Sequence, residues 1–357
     1  MYTDLDKLCI QQDAAIQDAI AHMDLNRQGI VLVVDDDRHL VGTMTDGDVR
    51  RAVLDRLDLR QPMSTALIRK IGTPYASPIT AALTDAPEVW LALLRQHNVL
   101  HLPLLGEDGR VAGMVTMDEF VRDQPALRAV VMAGGRGRRL HPMTQDTPKP
   151  MLRIGNRPLL EIIINQLRGA GIRQVQVTAH HKWEKIAEHF GDGRDFGVDL
   201  SYIEEADPLG TAGGLGLVEP PTETTLVING DILTQVDFRA MLSYHRQHRA
   251  ELTVAVRHYD VEVPYGVVEC VGPSVRALSE KPVFGFFVNA GIYLLEPSVY
   301  QFIPRGEHFD MTDLIQRLLQ VGHPVVSFPV REYWLDIGER REYERAEEDV
   351  RSGKVRV

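Results

Sequence analysis

The stretch Val130-Val131-Met132-Ala133-Gly134-Gly135-Arg136-Gly137-Arg138-Arg139-Leu140 admits few folds. A β-branched apolar run suits a buried strand. The three glycines after it let backbone N–H groups converge on an anion without obstruction by a Cβ. Arg136, Arg138 and Arg139 crowd together, and like charges so placed repel unless an anion sits among them. Downstream, Thr147-Pro148-Lys149-Pro150-Met151 supplies a further cation. These residues read as a phosphate cradle at the end of a sheet strand, with a nucleoside triphosphate as its natural occupant. A plain strand-to-helix turn would use the same glycines but would gain nothing from the arginines. The loop lacks the Gly-Lys-Ser/Thr ending of a P-loop, and its glycine spacing is not that of a dinucleotide-binding turn. A standard ATPase or dehydrogenase is therefore disfavoured.

At 357 residues the chain is long enough for two or three domains. The formal charge of −11 repels nucleic acid, so the basic loop reads as a local anion site on an acidic protein. No apolar run approaches the ~18 residues of a membrane span, and the acidic start Met1-Tyr2-Thr3-Asp4-Leu5-Asp6 does not resemble a secretory signal. A cytoplasmic location without membrane or nucleic-acid partners is expected. Cys9 and Cys270 fit no metal spacing or disulfide framework and are expected to be small core residues.

Residues 1–123 contain a repeat. Val33-Val34-Asp35 through Leu40-Val41-Gly42-Thr43-Met44-Thr45 aligns with Leu104-Leu105-Gly106 through Arg110-Val111-Ala112-Gly113-Met114-Val115-Thr116, with Gly42 over Gly113 and Thr45 over Thr116. Each copy reads as helix, buried strand, acidic turn, second strand and a helix starting after the threonine. The pair resembles tandem CBS modules, which commonly bind adenosine nucleotides between copies or serve as dimerisation plates. By that resemblance Thr45 and Asp48 would hold a nucleotide's phosphate and ribose. The second copy departs, since Thr116 is followed at that spacing by Glu119. A threonine N-cap with a first-turn acid would use the same residues, and homo-oligomer formation would then be the main task of this half.

A polar, proline-containing join at Arg122-Asp123-Gln124-Pro125-Ala126 separates residues 1–123 from 124–357. Beyond it, the runs Val175-Gln176-Val177-Thr178, Leu200-Ser201-Tyr202-Ile203 and Leu226-Val227-Ile228 alternate with helical stretches Leu159–Leu167 and Phe238–His248. The alternation predicts an α/β fold, a Rossmann-like and mainly parallel sheet flanked by helices, with ligands beyond the carboxyl ends of its strands. Asp231, after Leu226-Val227-Ile228-Asn229-Gly230, and Asp336, in Tyr333-Trp334-Leu335-Asp336-Ile337-Gly338, are the candidate ligands of magnesium. That ion typically takes one or two carboxylates plus substrate phosphates. Either aspartate alone could equally be a helix cap. His180-His181 follows a strand without a third ligand and reads as surface histidine, and Phe284-Gly285-Phe286-Phe287 as strand and turn packing.

From about Ala129 onward the residues jointly resemble the sugar-1-phosphate nucleotidyltransferase family. The resemblance rests on the glycine loop, Thr147-Pro148-Lys149-Pro150, Pro208-Leu209-Gly210-Thr211-Ala212-Gly213-Gly214, Asn229-Gly230-Asp231, Tyr265-Gly266-Val267, Glu280-Lys281-Pro282, Asn289-Ala290-Gly291 and Trp334-Leu335-Asp336-Ile337-Gly338. That family joins a nucleoside triphosphate to a sugar 1-phosphate and releases pyrophosphate. The resemblance implies that Gly134, Gly135, Gly137, Arg139, Lys149, Gly210 and Thr211 bind the nucleotide, and that Asp231 and Asp336 bind magnesium. It further implies Lys281 on the sugar phosphate and Gly266, Glu280 and Asn289 on the sugar hydroxyls. Arg157 stands where relatives often carry lysine.

Glu205 occupies a position that is often glutamine in thymidine- and uridine-using members. A carboxylate only accepts hydrogen bonds, which complements the adjacent N1–H and N2–H donors of guanine, so GTP is favoured. Glu204 could be the reader instead. Use of UTP, dTTP or CTP stays open, as does a non-catalytic subunit that senses sugar nucleotides. Fusion to CBS modules resembles bacterial guanylyltransferases of amino-sugar 1-phosphates in legionaminic-type pathways, in architecture only. A hexose or amino-hexose 1-phosphate is the expected second substrate.

Overall fold

The structure is a computed structural model describing residues 1–73, 75–97, 99–120, 127–135, 137–180 and 182–355. Arg136, His181 and the join at 122–126 lie outside the described residues. The chain divides into two compact units, Met1–Pro125 and Ala126–Val357.

The first unit holds two three-stranded sheets of the same topology. In one, Cys9–Gln11 runs parallel to Ile30–Val34, which pairs antiparallel with Leu40–Thr45. In the other, Ala81–Ala82 runs parallel to His101–Leu105, which pairs antiparallel with Val111–Thr116. The bulge falls at the same place in both copies. Register shifts after Val33↔Gly42 and after Leu104↔Gly113, so the two glycines occupy equivalent positions. Thr45 starts the helix Asp46–Leu54, whereas Thr116 is followed by the short 3₁₀ turn Met117–Glu119.

The second unit is built on a seven-stranded sheet. Its strands are β1 (Arg128–Met132), β2 (Gln174–Ala179), β3 (Asp199–Glu204), β4 (Thr225–Asn229), β5 (Leu252–Glu262), β6 (Val283–Leu295) and β7 (Val325–Val330). Their order is β3-β2-β1-β4-β6-β5-β7, and β6 alone runs against the others. Successive side chains of a strand point to opposite faces, so β1 feeds two cores. Ala129 and Val131 pack with helices Leu159–Gly169, Phe238–Gln247 and Arg340–Arg351, and Val130 packs with Leu215 and helix Met311–Gln320.

This register also sets where the loops emerge. Ala133 N–H donates to Thr178 O, Gly230 N–H to Met132 O and Glu205 N–H to Ala179 O, at 2.8, 2.8 and 2.9 Å. The loops after β1, β2, β3 and β4 therefore leave one edge of the sheet side by side. Because β6 is antiparallel and pairs Ile292 with Ile228, its Asn289-Ala290-Gly291 segment reaches that same edge.

Two expectations fail. Cys270 is exposed and Cys9 only half-buried, so neither is a core residue. Phe284 and Phe286 are exposed rather than packed, because beyond Asn289 towards its start β6 projects from the sheet paired only with β5. Among the described residues, no helix is long and apolar enough to cross a membrane.

Candidate functional site

The glycine loop is packed for a purpose visible in its neighbours. Gly137 has φ +61°, a left-handed conformation that glycine adopts without strain, and a Cβ there would lie 2.9 Å from Thr144 Cγ2 and 3.3 Å from Lys149 Cβ. Thr144 Oγ1 donates to Gly137 O at 2.7 Å, fixing the loop against the Lys149 segment. Among the described residues, and apart from its chain neighbours, nothing lies within 4 Å of the Gly135 Cβ position.

The two acids converge on this loop. Gly230 turns tightly, with a Cβ position 3.0 Å from Met132 O, and delivers Asp231 beside Lys149, whose ammonium ion-pairs with the Asp231 carboxylate. The short strand Ile232–Thr234 pairs antiparallel with Trp334–Asp336, Ile232 opposite Asp336, and Ile337 N–H donates to Asp231 O at 3.0 Å. Burial, and then the Asp231 charge, push the Asp336 carboxyl above its ordinary range, while Lys149 and Arg139 pull the other way. Two carboxylates placed so that one raises the pKa of the other call for added positive charge. Among the described residues, no group of three or more His, Cys, Asp or Glu could hold a metal ion. The donor set thus fits an ion that shares its coordination with substrate phosphates, as magnesium does, and not a closed protein cage.

Arg139 is mostly exposed. It lies over Gly338, with guanidinium nitrogens 3.6 Å from that residue's Cβ position, and meets Glu339 at 3.5 Å. Its charge therefore stands at the Asp336 side of the cradle. Arg157 pairs with Glu161 at 3.6 Å, one helical turn on.

Glu205 is only 4% exposed, whereas Glu204 faces solvent. Its carboxylate lies behind the glycine loop, 3.2 Å from the Cβ position of Gly134, and accepts from Leu209 N–H at 3.2 Å. His180, set aside in the sequence, holds the same residue: its Nδ1 donates to Glu205 O at 2.7 Å. It fixes the backbone at that residue and stays half-buried.

The segment Leu209–Gly213 is strapped by residues from far along the chain. Ala212 and Gly213 N–H donate to Phe309 O at 2.9 and 2.8 Å, and Phe309 N–H donates to Leu209 O at 2.8 Å. Asp310 Oδ1 accepts from Thr211 N–H and Thr211 Oγ1 at 2.8 and 3.1 Å, while Thr211 Oγ1 accepts from Met311 N–H at 2.9 Å. Thr211 therefore spends its hydroxyl on the strap. Gly210 sits within it at φ +82°, its Cβ position 2.7 Å from Asp310 Oδ1. Asp310 escapes sequence reading because an acid before Met311-Thr312-Asp313-Leu314 reads as an ordinary helix cap, which it also is.

The remaining residues fall into two groups. Asn289 Oδ1 accepts from Gly291 N–H at 3.0 Å, and Gly291 presses on Asn229, its Cβ position 2.6 Å from Asn229 Nδ2. Ala290 O accepts from Trp334 Nε1 at 2.8 Å. Asn289 is thereby tied to both acid-bearing turns. Gly266 and Glu280 form the second group, with Glu280 Oε2 3.0 Å from the Gly266 Cβ position, and Lys281 beside them is exposed at φ +45°.

In the first unit the expected ligand pair is occupied internally. Asp48 accepts from Thr45 N–H and Thr45 Oγ1, each at 2.9 Å, and pairs with Lys70 at 3.0 Å and with Arg51. Burial raises its carboxyl, but Lys70 and Arg51 outweigh it and hold the acid below its usual range. Glu119 repeats the cap, accepting from Thr116 N–H at 3.1 Å.

Comparison with known proteins agrees with this architecture. The chain is 31% identical over 251 residues to a UTP–glucose-1-phosphate uridylyltransferase of Synechocystis, covering 64% of this chain and 65% of that protein. It is also 31% identical over 234 residues to a mannose-1-phosphate guanylyltransferase of Mycobacterium tuberculosis, covering 63% and 65%. The chain thus spans just under two thirds of the length of these relatives. A solved glucose-1-phosphate thymidylyltransferase-type protein from Bacillus anthracis shares the fold, with TM-score 0.53 and 24% identity over 65% of this chain and 97% of that one. Residues 3–55 and 69–125 each match the CBS domain. Residues 128–353 match the nucleotidyl transferase family, and the chain belongs to it.

Proposed function

We propose that this protein joins a nucleoside triphosphate, GTP by preference, to a hexose or amino-hexose 1-phosphate, giving a nucleoside-diphosphate sugar and pyrophosphate. The carrying observation is the meeting of Asp231 and Asp336 beside Lys149 at the glycine loop. A sugar phosphate is already anionic near neutral pH, so no general base is needed. One of its phosphate oxygens forms the new bond to the α-phosphorus while the bond from that phosphorus to the β-phosphate bridging oxygen breaks, and pyrophosphate leaves with that electron pair.

Under this reading the protein supplies position and charge. Gly134, Gly135 and Gly137 cradle the phosphates, and Arg139 and Lys149 offset their charge. Asp231 and Asp336 are the residues that would hold magnesium, which when bound adds positive charge for the phosphate oxygens. Lys281 orients the sugar phosphate, and Gly266, Glu280 and Asn289 contact the hydroxyls. The buried acceptor Glu205 supports guanine over uracil or thymine, whose facing acceptors it would repel. The chain works as a homo-oligomer in the cytoplasm, and an adenine nucleotide is the expected ligand of the CBS pair if that pair binds one.

A matrix of four triphosphates against sugar 1-phosphates with magnesium, read by pyrophosphate release, tests the assignment. Release with GTP and one sugar class supports it. Absence of release with every pair would refute catalysis, and preference for UTP or dTTP would refute the role of Glu205.

A further inference from the structure

The helix Arg340–Arg351 begins shortly after Asp336 and is bonded to two segments that flank the charge centre. Tyr343 and Glu347 lie one turn apart on one of its faces. The Tyr343 hydroxyl donates to Arg153 O at 2.7 Å, and Glu347 Oε1 accepts from Gly155 N–H at 2.7 Å. Val350 continues that face, its Cγ1 3.4 Å from the Gly155 Cβ position, and Gly155 turns at φ +62°. The chain leading into this turn is itself bonded at short range. Met151 N–H donates to Pro148 O at 2.8 Å and Leu152 N–H to Lys149 O at 3.1 Å, so Lys149 moves with Arg153 and Gly155.

A second face of the helix holds the strand that carries Asp336. Asp349 Oδ2 accepts from the Tyr333 hydroxyl at 2.8 Å, and Asp349 Oδ1 accepts from Lys354 Nζ at 3.0 Å. Tyr333 O in turn accepts from Thr234 Oγ1 and from Gln235 N–H, each at 2.9 Å. These bonds fix the residue that precedes Trp334–Asp336. Ala346, between the two faces, is fully buried and seats the helix on the core.

We propose that this helix sets the spacing between Lys149 and Asp336, with Tyr343 and Glu347 as positioning residues for the reaction. Their role rests on the reading of Lys149, Asp231 and Asp336 as the charge centre. Lys149 comes from a loop and Asp336 from a strand far along the chain, and one helix bonded to both segments holds their separation. A shift of about 1 Å in such groups costs on the order of 100-fold in rate. Tyr343 and Glu347 bond to backbone groups, so they govern where the Lys149 segment runs and leave the charge of the centre to others.

Tyr343→Phe combined with Glu347→Ala, in the full chain, removes both bonds to the Lys149 segment. The kcat for pyrophosphate release should fall about tenfold and the half-saturating magnesium concentration should rise severalfold. The KM for the sugar 1-phosphate should stay unchanged. Tyr343→Phe with Glu347→Gln should recover most of the loss, because the amide oxygen still accepts from Gly155 N–H. Amide hydrogen exchange should quicken at residues 149–155 and stay native in β1 and β4. Wild-type rates in the first variant would overturn the proposal, as would equal losses in the Ala and Gln variants. Exchange that quickens across the whole second unit would also overturn it, since the helix would then be a general support. If the wild type releases no pyrophosphate with any substrate pair, the reading of the activity fails instead. Exchange alone then decides the spacing role, with local quickening supporting it and unchanged exchange refuting it.

Discussion

Lys149 ion-pairs with Asp231, while Asp336, opposite Ile232 on the facing strand, takes part in no ion pair among the described residues. The cradle therefore carries one balanced and one unbalanced acid before any ligand arrives.

Removing either acid should abolish turnover and spare the fold. Asp336→Asn and Asp231→Asn are each expected to reduce kcat by on the order of 100-fold or more, comparable with the loss of a group that stabilises transition-state charge. Arg139→Ala should likewise remove most turnover. Pyrophosphate release measures the loss, and near-wild-type rates in these variants would contradict the assignment.

Glu205→Gln exchanges a pure acceptor for a group that both donates and accepts. The kcat/KM for GTP should fall on the order of 100-fold and that for UTP or dTTP should rise. A variant that keeps the wild-type ranking of triphosphates would place base recognition elsewhere.

Asp310 acts at a distance from the substrate, through the strap on Leu209–Gly213. Asp310→Ala should raise KM for the triphosphate about tenfold with a smaller effect on kcat, since it loosens a binding loop and not the charge centre. Asp310→Asn keeps an acceptor oxygen and should recover most of that loss. Equal damage by both variants would reduce Asp310 to a structural cap.

Asp48 is a buried acid saturated by Lys70, Arg51 and Thr45. Deleting it takes the ion-pair partner from the largely buried Lys70 ammonium, so Asp48→Ala should destabilise the first unit by roughly 3 kcal/mol. Thermal denaturation of the full chain measures this. An unchanged first transition would show that the network contributes little.

His245 gives the fold a pH dependence. Burial lowers its pKa, opposed by Glu296, and its ring nitrogens are held by Thr253 Oγ1 at 2.7 Å and Glu296 Oε1 at 2.9 Å. The folded state thus resists a proton that the unfolded chain accepts near pH ~6.5. The contribution of His245 is complete above that pH and is lost as the pH falls towards the lower folded value. Urea midpoints followed from pH 8 to about 5 should decline, and His245→Gln should flatten the decline.

Local pattern made much of this legible. β-branched runs such as Val130-Val131 and Leu226-Val227-Ile228 mark strands buried on both faces, and the glycines mark the loop that leaves them. The repeat is written in Gly42 and Gly113, whose bulges coincide in the fold. What escaped depends on contacts between distant residues. Nothing near Asp48 announces Lys70, and nothing near Thr211 announces Asp310. Phe284 and Phe286 carry the hydrophobic pattern of packed residues, and pattern alone does not show that they stay exposed. Arg139 sits in a basic loop, yet its partner Glu339 comes from the far end of the sequence.

The loops leave the sheet edge from separate strands, each anchored by its own backbone bond. Glu205 hangs from β3, while Asp231 hangs from β4 and is stapled to the strand bearing Asp336. Mechanically, the part that would choose the nucleotide letter and the part that would handle its charge are independent fittings on one rigid frame. A lineage can then exchange the first for a different letter without readjusting the second.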